Sequence, residues 1–245
     1  MDAKFSAKTA LLAGKILMEN NAEMHRIEDC IRRIGETEGI EITSYTTQTG
    51  IFVNIEQYDI MMLRNVTRRV TNLEKIAQVN QAIRDFSTNQ SSIIELHQRL
   101  EVIETENFFF PAWLEVLAAG IVSASLMMLL NGKFTDFFPT FLIGSLSYIV
   151  YLLTSMRFGL KFLAEILAAI VIGSLAALFQ YYNWITQINA VLTGAVMPLV
   201  PGVLITNSIR DLLSGHLISG LSRGAEATIT VLMIAFGIVF TLKLF

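Results

Sequence analysis

The chain has one cysteine, two tryptophans, three histidines and four prolines among its 245 residues, and only 16% of it is charged. With Cys30 alone, no internal disulfide can form, and the thiol agrees with a reducing compartment. Histidine is too sparse for a familiar metal set. The segment "MHRIEDC" gathers His25, Glu28, Asp29 and Cys30, but the step from His25 to Glu28 has no second histidine at ligand spacing. No nucleophile stands at a convincing distance from a base, so neither catalytic residues nor a metal or cofactor is expected, and the chain does not read as an enzyme. A nucleic-acid surface is disfavoured too, because residues 1–111 carry 12 Lys/Arg against 16 Asp/Glu. Arg64, Arg68 and Arg69 read as a solvated strand end, with a juxtamembrane lipid contact as the alternative. A secretory signal is also missing, since "MDAKFSAKTALLAGKILMENN" is polar-interrupted and helical in period.

What the chain has in excess is apolar surface, and it is unevenly placed. Residues 112–245 hold only Lys133, Arg157, Lys161, Arg210, Arg223 and Lys243 against Glu115, Asp136, Glu165, Asp211 and Glu226. The change falls at "NFFFPAW", an aromatic cluster of the kind that sits at headgroup level where a span begins. Five runs of bilayer length follow, at about 112–130, 137–155, 160–179, 187–206 and 225–243, joined by short connections. The expected fold is therefore a polytopic α-helical membrane protein with five transmembrane helices, one of them broken by Pro and Gly. Residues 1–110 form a small α+β N-terminal domain and 111–245 the transmembrane domain. Gly120, Gly144, Gly173, Gly194 and Gly237 lie inside spans, as small residues do where helices approach closely. Counting Arg157, Lys161, Arg210 and Arg223 on one side against Lys133 and Lys243 on the other puts the N-terminal half in the cytoplasm and the C-terminus outside.

In the first half, residues 5–20 and 22–38 read as helices. The second carries Met24, Ile27, Ile31 and Ile34 on one stripe, Glu28 to Arg32 and Asp29 to Arg33 as acid-to-base pairs, and Asn21 as a candidate cap. The runs "IEITSYTTQ", "GIFVNIEQ" and "DIMMLRNV" alternate and predict a three-stranded antiparallel meander. Helices over 72–86 and 90–105 lead to the membrane.

The fourth span, within Ile188–Ala227, holds the strongest functional signal. Pro198, Pro201 and Gly202 interrupt it, and broken backbone at membrane depth is tolerated mainly beside protein or a water-filled cavity. Asn207, Arg210, Asp211, His216 and Arg223 follow at once. Arg210 and Asp211 point about 100° apart on a helix, so they meet different groups: the guanidinium suits a carboxylate, and Asp211 an ammonium or a proton. A helix N-terminus after the break favours an anion. The rival reading is an amphipathic inner-leaflet loop anchored by Arg210 and Arg223. Glu165, roughly 8–9 Å along its span, is deep enough to be shielded from bulk water and with Glu115, Glu226 and Asp211 could build an acidic vestibule. His216 is a candidate proton relay, or a hydrogen-bonded surface residue.

Two segments, "AEMHRIEDCIRRIG" and "PLVPGVLITNSIRDLLSGHLISGLSRGAEA", resemble the threonine/serine exporter family, specifically its long subunit with a cytoplasmic N-terminal domain of the split two-subunit type. The motif positions are Glu23, His25, Arg26 and Glu28 early, and Pro198, Pro201, Gly202, Asn207, Asp211 and Gly215 late. The resemblance implies a secondary exporter subunit in the cell membrane moving threonine and serine by proton antiport, or else small dicarboxylates such as succinate. Since family members carry ten spans fused or five beside a short all-membrane subunit, it implies a small second subunit, or a homo-oligomer, as partner. The pathway residues are then Asp211, Arg210, Asn207, Glu165, Pro198, Pro201 and Gly202, with His25, Arg26, Glu28 and Glu226 as gating or regulatory positions. A rival of another class is a membrane-anchored signalling protein whose N-terminal domain does the work.

Overall fold

The computed structural model describes residues 3–67, 69–106 and 110–244. Phe108 and Phe109 of the aromatic cluster, and Arg68, lie outside the described residues. The chain forms two compact units, one of Met1–Phe109 with Val203–Gly224, the other of Phe110–Gly202 with Ala225–Phe245. The stretch Val203–Gly224 thus folds with the N-terminal residues, whereas the sequence reading puts it in the transmembrane domain, 111–245, mostly between the fourth and fifth spans.

In the first unit, α1 (Ala3–Glu19) is buried on nearly every side, as its alanines allow; Ala7, Ala10 and Ala13 are fully enclosed. The expected stripe of α2 (Met24–Thr37) is real, with Met24, Ile27, Ile31 and Ile34 buried. Asn21 is not its cap. It takes a left-handed turn and donates to Thr71 Oγ1 at 3.1 Å, while Glu23 occupies the cap position without a side-chain cap bond. The pair Glu28–Arg32 does not form either: Arg32 bonds Asp29 and Glu36, and Glu28 accepts from Thr46 N at 3.0 Å and Thr46 Oγ1 at 2.7 Å. That contact closes the outer edge of β1, since a strand edge leaves N–H groups seeking acceptors.

The meander is as expected: β1 (Thr43–Thr47), β2 (Gly50–Ile55) and β3 (Ile60–Asn65), antiparallel in that order. Ile51, Val53 and Ile55 face the core; Tyr45, Phe52 and Leu63, aligned in register, face away from it. Helix α3 (Leu73–Ser87) is capped by Asn72, and α4 (Ile93–Thr105) by a Ser92–Glu95 capping box. The unit also contains α9 (Gly202–Leu213) from Val203 on, and the first residues of α10 (Leu217–Leu244). Between them Gly215 sits at φ +85°, a left-handed turn where a Cβ is unfavourable, and His216 N bonds Asp211 O at 2.8 Å.

The second unit is a bundle of α5 (Ala112–Leu129), α6 (Phe137–Phe158), α7 (Lys161–Tyr181), α8 (Ile188–Val196) and the rest of α10. Among the described residues four helices are long and apolar enough to cross a membrane, and the broken pair Ile188–Leu199 with Gly202–Leu213 makes up to five. After α8 the chain makes one 3-10 turn at Met197–Leu199 and is extended at Val200, as the residue before a proline must be. The last span begins eight residues before the expected 225, at Leu217.

Exposed Trp113, Phe158 and Phe162 mark one end of the bundle, and Phe134, Phe138, Tyr181, Tyr182 and Trp184 the other. Phe162 and Tyr181 are about 28 Å apart along α7, close to the thickness of a hydrocarbon core. Helices α7 and α10 run parallel, because Lys161 meets Glu226, Gly237 lies against Ala169, and Gly173 lies against Thr241. The chain between them therefore returns to the level at which α7 began. At Gly173 a Cβ would overlap the Thr241 hydroxyl, and at Gly237 it would come within 2.9 Å of Ile166 O, so only glycine permits this approach.

Candidate functional site

The two sequence motifs, some 190 residues apart, meet in the first unit. The turn from Asn21 to Met24 exposes backbone groups that no helix satisfies, and α9 with the start of α10 supplies their partners. Asn207 Nδ2 donates to Asn21 O at 2.8 Å, Arg223 to Ala22 O at 2.8 Å, and Met24 N donates to Asp211 Oδ1 at 3.0 Å. Arg210 pairs with Glu23, whose other oxygen lies 3.5 Å from His25 Nε2. Asp211 and Arg223 are both fully buried, 3.3 Å apart. A buried carboxylate is costly unless a cation and hydrogen-bond donors reach it, and here Arg223 and Met24 N–H do so.

The corner of α9 and α10 is built for this contact. Ser208 Oγ donates to Gly220 O at 2.7 Å, and a Cβ on Gly224 would come within 2.9 Å of Ser208 Oγ. On the outer side of α2 lies a groove of about 940 Å³ lined by His25, Arg26, Glu28, Asp29 and His216, with His216 Nε2 3.7 Å from Glu28 Oε2. Cys30 is buried in this unit, and burial pushes its thiol up to about 11, with Asp29 adding to the effect, so it is a poor nucleophile at neutral pH. Among the described residues no group of three or more His, Cys, Asp or Glu is arranged to hold a metal ion.

The remaining pathway candidates belong to the second unit. Glu165 on α7 is 2% exposed, and its Oε2 accepts no hydrogen bond among the described residues. Glu226 pairs with Lys161 at 2.9 Å. Pro198, Pro201 and Gly202 form the break between α8 and α9, and a Cβ on Gly202 would meet nothing within 4 Å. Glu115 accepts from Tyr148 OH at 3.3 Å.

The sequence singles out Asp211 but not its partner. Arg223 sits twelve residues on, beyond the Gly215 turn, where helical periodicity cannot pair them. Asp136 was missed altogether. Its carboxylate is fully buried and accepts from Thr186 N (3.0 Å), Gln187 N (2.9 Å), Thr186 Oγ1 (3.0 Å) and Thr135 Oγ1 (3.1 Å). It thereby satisfies the amides that open α8 and neutralises the positive end of that helix. The lone acid in the short connection "NGKFTD" was the available signal.

Apolar helices with aromatic residues at both ends, joined to an α+β unit, define a polytopic helical membrane protein. The family described as "Putative threonine/serine exporter", ThrE, matches residues 8–245, and the chain belongs to it. Its relatives include "Probable succinate transporter subunit YjjP" of Klebsiella aerogenes, 24% identical over 93% of this chain and 89% of that protein. The protein of the same name in Escherichia coli K12 is 22% identical over 97% and 93%. "Probable threonine/serine exporter" of Mycobacterium tuberculosis is 19% identical over 91% of this chain but only 40% of that protein. No solved structure matches.

Proposed function

We propose that the chain is the long subunit of a proton-coupled secondary exporter of small amino acids, threonine and serine, in the cell membrane. The α+β unit is cytoplasmic, five crossings follow, and the C-terminus lies outside. The observation that carries the reading is the meeting of the two family segments at the Asn21–Met24 turn. That turn offers a carboxylate to Arg210 and an N–H to Asp211. A zwitterionic amino acid offers a carboxylate and, in place of the neutral amide N–H, a charged N–H donor, so Arg210 and Asp211 hold the turn when the path is shut and the solute's carboxylate and ammonium when it is open. Asn207 adds a neutral hydrogen bond, the Pro198–Gly202 break exposes backbone dipoles, and Glu165 contributes the acidic part of the path. His25, Arg26, Glu28 and Glu226 set how readily the turn releases. A second, all-membrane subunit completes the machine, and a homo-oligomer is the alternative.

The dicarboxylate reading has a specific support: the two relatives covered over most of their length are named as succinate transporter subunits. Efflux of labelled threonine, serine and succinate from vesicles, with and without a co-expressed partner, separates the substrates. Asp211→Asn is expected to lower flux at least about tenfold. Flux unchanged in that variant rejects its role, and no flux of any of the three solutes rejects the exporter.

A further inference from the structure

In the bundle, the parallel helices α7 and α10 present matched residues at a spacing of four. Lys161 and Glu226 form the first rung, at 2.9 Å. One turn deeper stand Glu165 and Thr230, respectively 2% and 0% exposed. Glu165 Oε2 and Thr230 Oγ1 are buried without a hydrogen bond among the described residues, and the register set by the Lys161–Glu226 pair places the two residues at the same level of the parallel helices. Beyond them the helices close on each other at Gly237 and Gly173, which leaves this rung the last with an acidic group before the glycine contacts. The other charged or titratable groups facing Glu165 are Lys161 on its own helix, Glu226 on α10 and Tyr151 on α6; Tyr151 also faces Glu115 of α5 and stacks near Tyr148. The ammonium of Lys161, one turn away, acts on Glu165 only at a distance, because Glu226 holds it at 2.9 Å.

We propose, resting on the exporter reading, that Glu165 with Thr230 is the site that binds and releases the coupling proton. Two features carry this. An ionisable group buried in a membrane bundle without an ion-pair partner of its own is expensive unless it exchanges a proton or meets a cation. A threonine hydroxyl can serve both states of such a group, accepting from a protonated carboxyl and donating to an ionised one. Asp211 differs in having a cation and a donor of its own: Arg223 lies 3.3 Å from its Oδ2, and the Met24 N–H donates to its Oδ1 at 3.0 Å. Proton and solute are thus assigned to different carboxylates, one in each unit of the chain.

The test is transport by the full chain with its partner in proteoliposomes, using whichever of labelled threonine, serine or succinate the wild type carries. Two fluxes are compared, accumulation driven by a pH gradient and equilibrium exchange without one. Glu165→Gln cannot ionise, and the ratio of driven to exchange flux is expected to fall at least about tenfold. Glu165→Asp keeps a titratable carboxyl, so the ratio stays within about threefold of wild type while the pH profile of exchange moves. Thr230→Val also moves that profile, and this reading decides the matter if Glu165→Gln fails to reach the membrane. An unchanged ratio in Glu165→Gln, a proportional fall in both fluxes, an unmoved profile in Thr230→Val, or drive by a sodium gradient in place of the pH gradient each overturns the assignment. No wild-type exchange of any solute overturns the exporter reading beneath it.

Discussion

The two units handle buried polarity in opposite ways. The first unit joins segments far apart in sequence with charge: Arg223, Asp211, Arg210 and Glu23 tie α9 and α10 to the Asn21–Met24 turn. The second unit joins neighbouring helices by shape, with Gly237 and Gly173 admitting close approach and a single acid, Asp136, holding the opening of α8. On the proposed function, charge gives the first unit a contact that can be exchanged for a ligand of the same chemistry. Shape gives the second a contact that cannot be exchanged without steric cost.

The largest effect that would break this contrast is expected at the buried pair. Arg223→Ala strands Asp211 as a buried charge and should cost about 3–5 kcal/mol, read as a fall in the thermal unfolding midpoint in detergent. The double variant Asp211→Ala with Arg223→Ala should cost less than the sum of the two single changes; strict additivity would mean that the pair is not coupled. Next comes Asp136→Ala, which leaves the amides of Thr186 and Gln187 without their acceptor at a cost of about 2–4 kcal/mol. Asp136→Asn, which retains one acceptor oxygen, should recover part of it. Gly237→Ala follows at about 1–3 kcal/mol, because the added methyl meets the backbone of α7 rather than a side chain that can turn away. Arg210→Ala is expected to be smallest for stability, about 0.2–1 kcal/mol, since its side chain is 62% exposed. A large stability loss there would make Arg210 a structural anchor rather than an exchangeable ligand.

Much of this could be read from the residues. The strands followed from alternation, the α2 stripe from its period, and the break from Pro198, Pro201 and Gly202. Local signals failed where a partner lay far off in sequence. Asn21 has the right chemistry for a cap, but the chain needs it in a left-handed turn that delivers Ala22, Glu23 and Met24 to α9 and α10. Glu28 has Arg32 at helical spacing, yet the amide and hydroxyl of Thr46 satisfy it better. Thr230 carried no functional signal by itself. It becomes informative only beside Glu165, when the spacing of Lys161 to Glu165 is matched by that of Glu226 to Thr230.

The first unit is assembled from both ends of a long stretch of chain, and this sets an order in time. When a ribosome has made the first 110 residues, the Ala22 carbonyl, the Glu23 carboxylate and the Met24 amide still await partners that begin near residue 207. At about 5–20 residues per second the wait is roughly 5–20 seconds, during which α5 to α8 must enter the bilayer. The first unit therefore cannot close until the residues from Asn207 to Arg223 have been made, and its N-terminal part alone is not a complete folding unit.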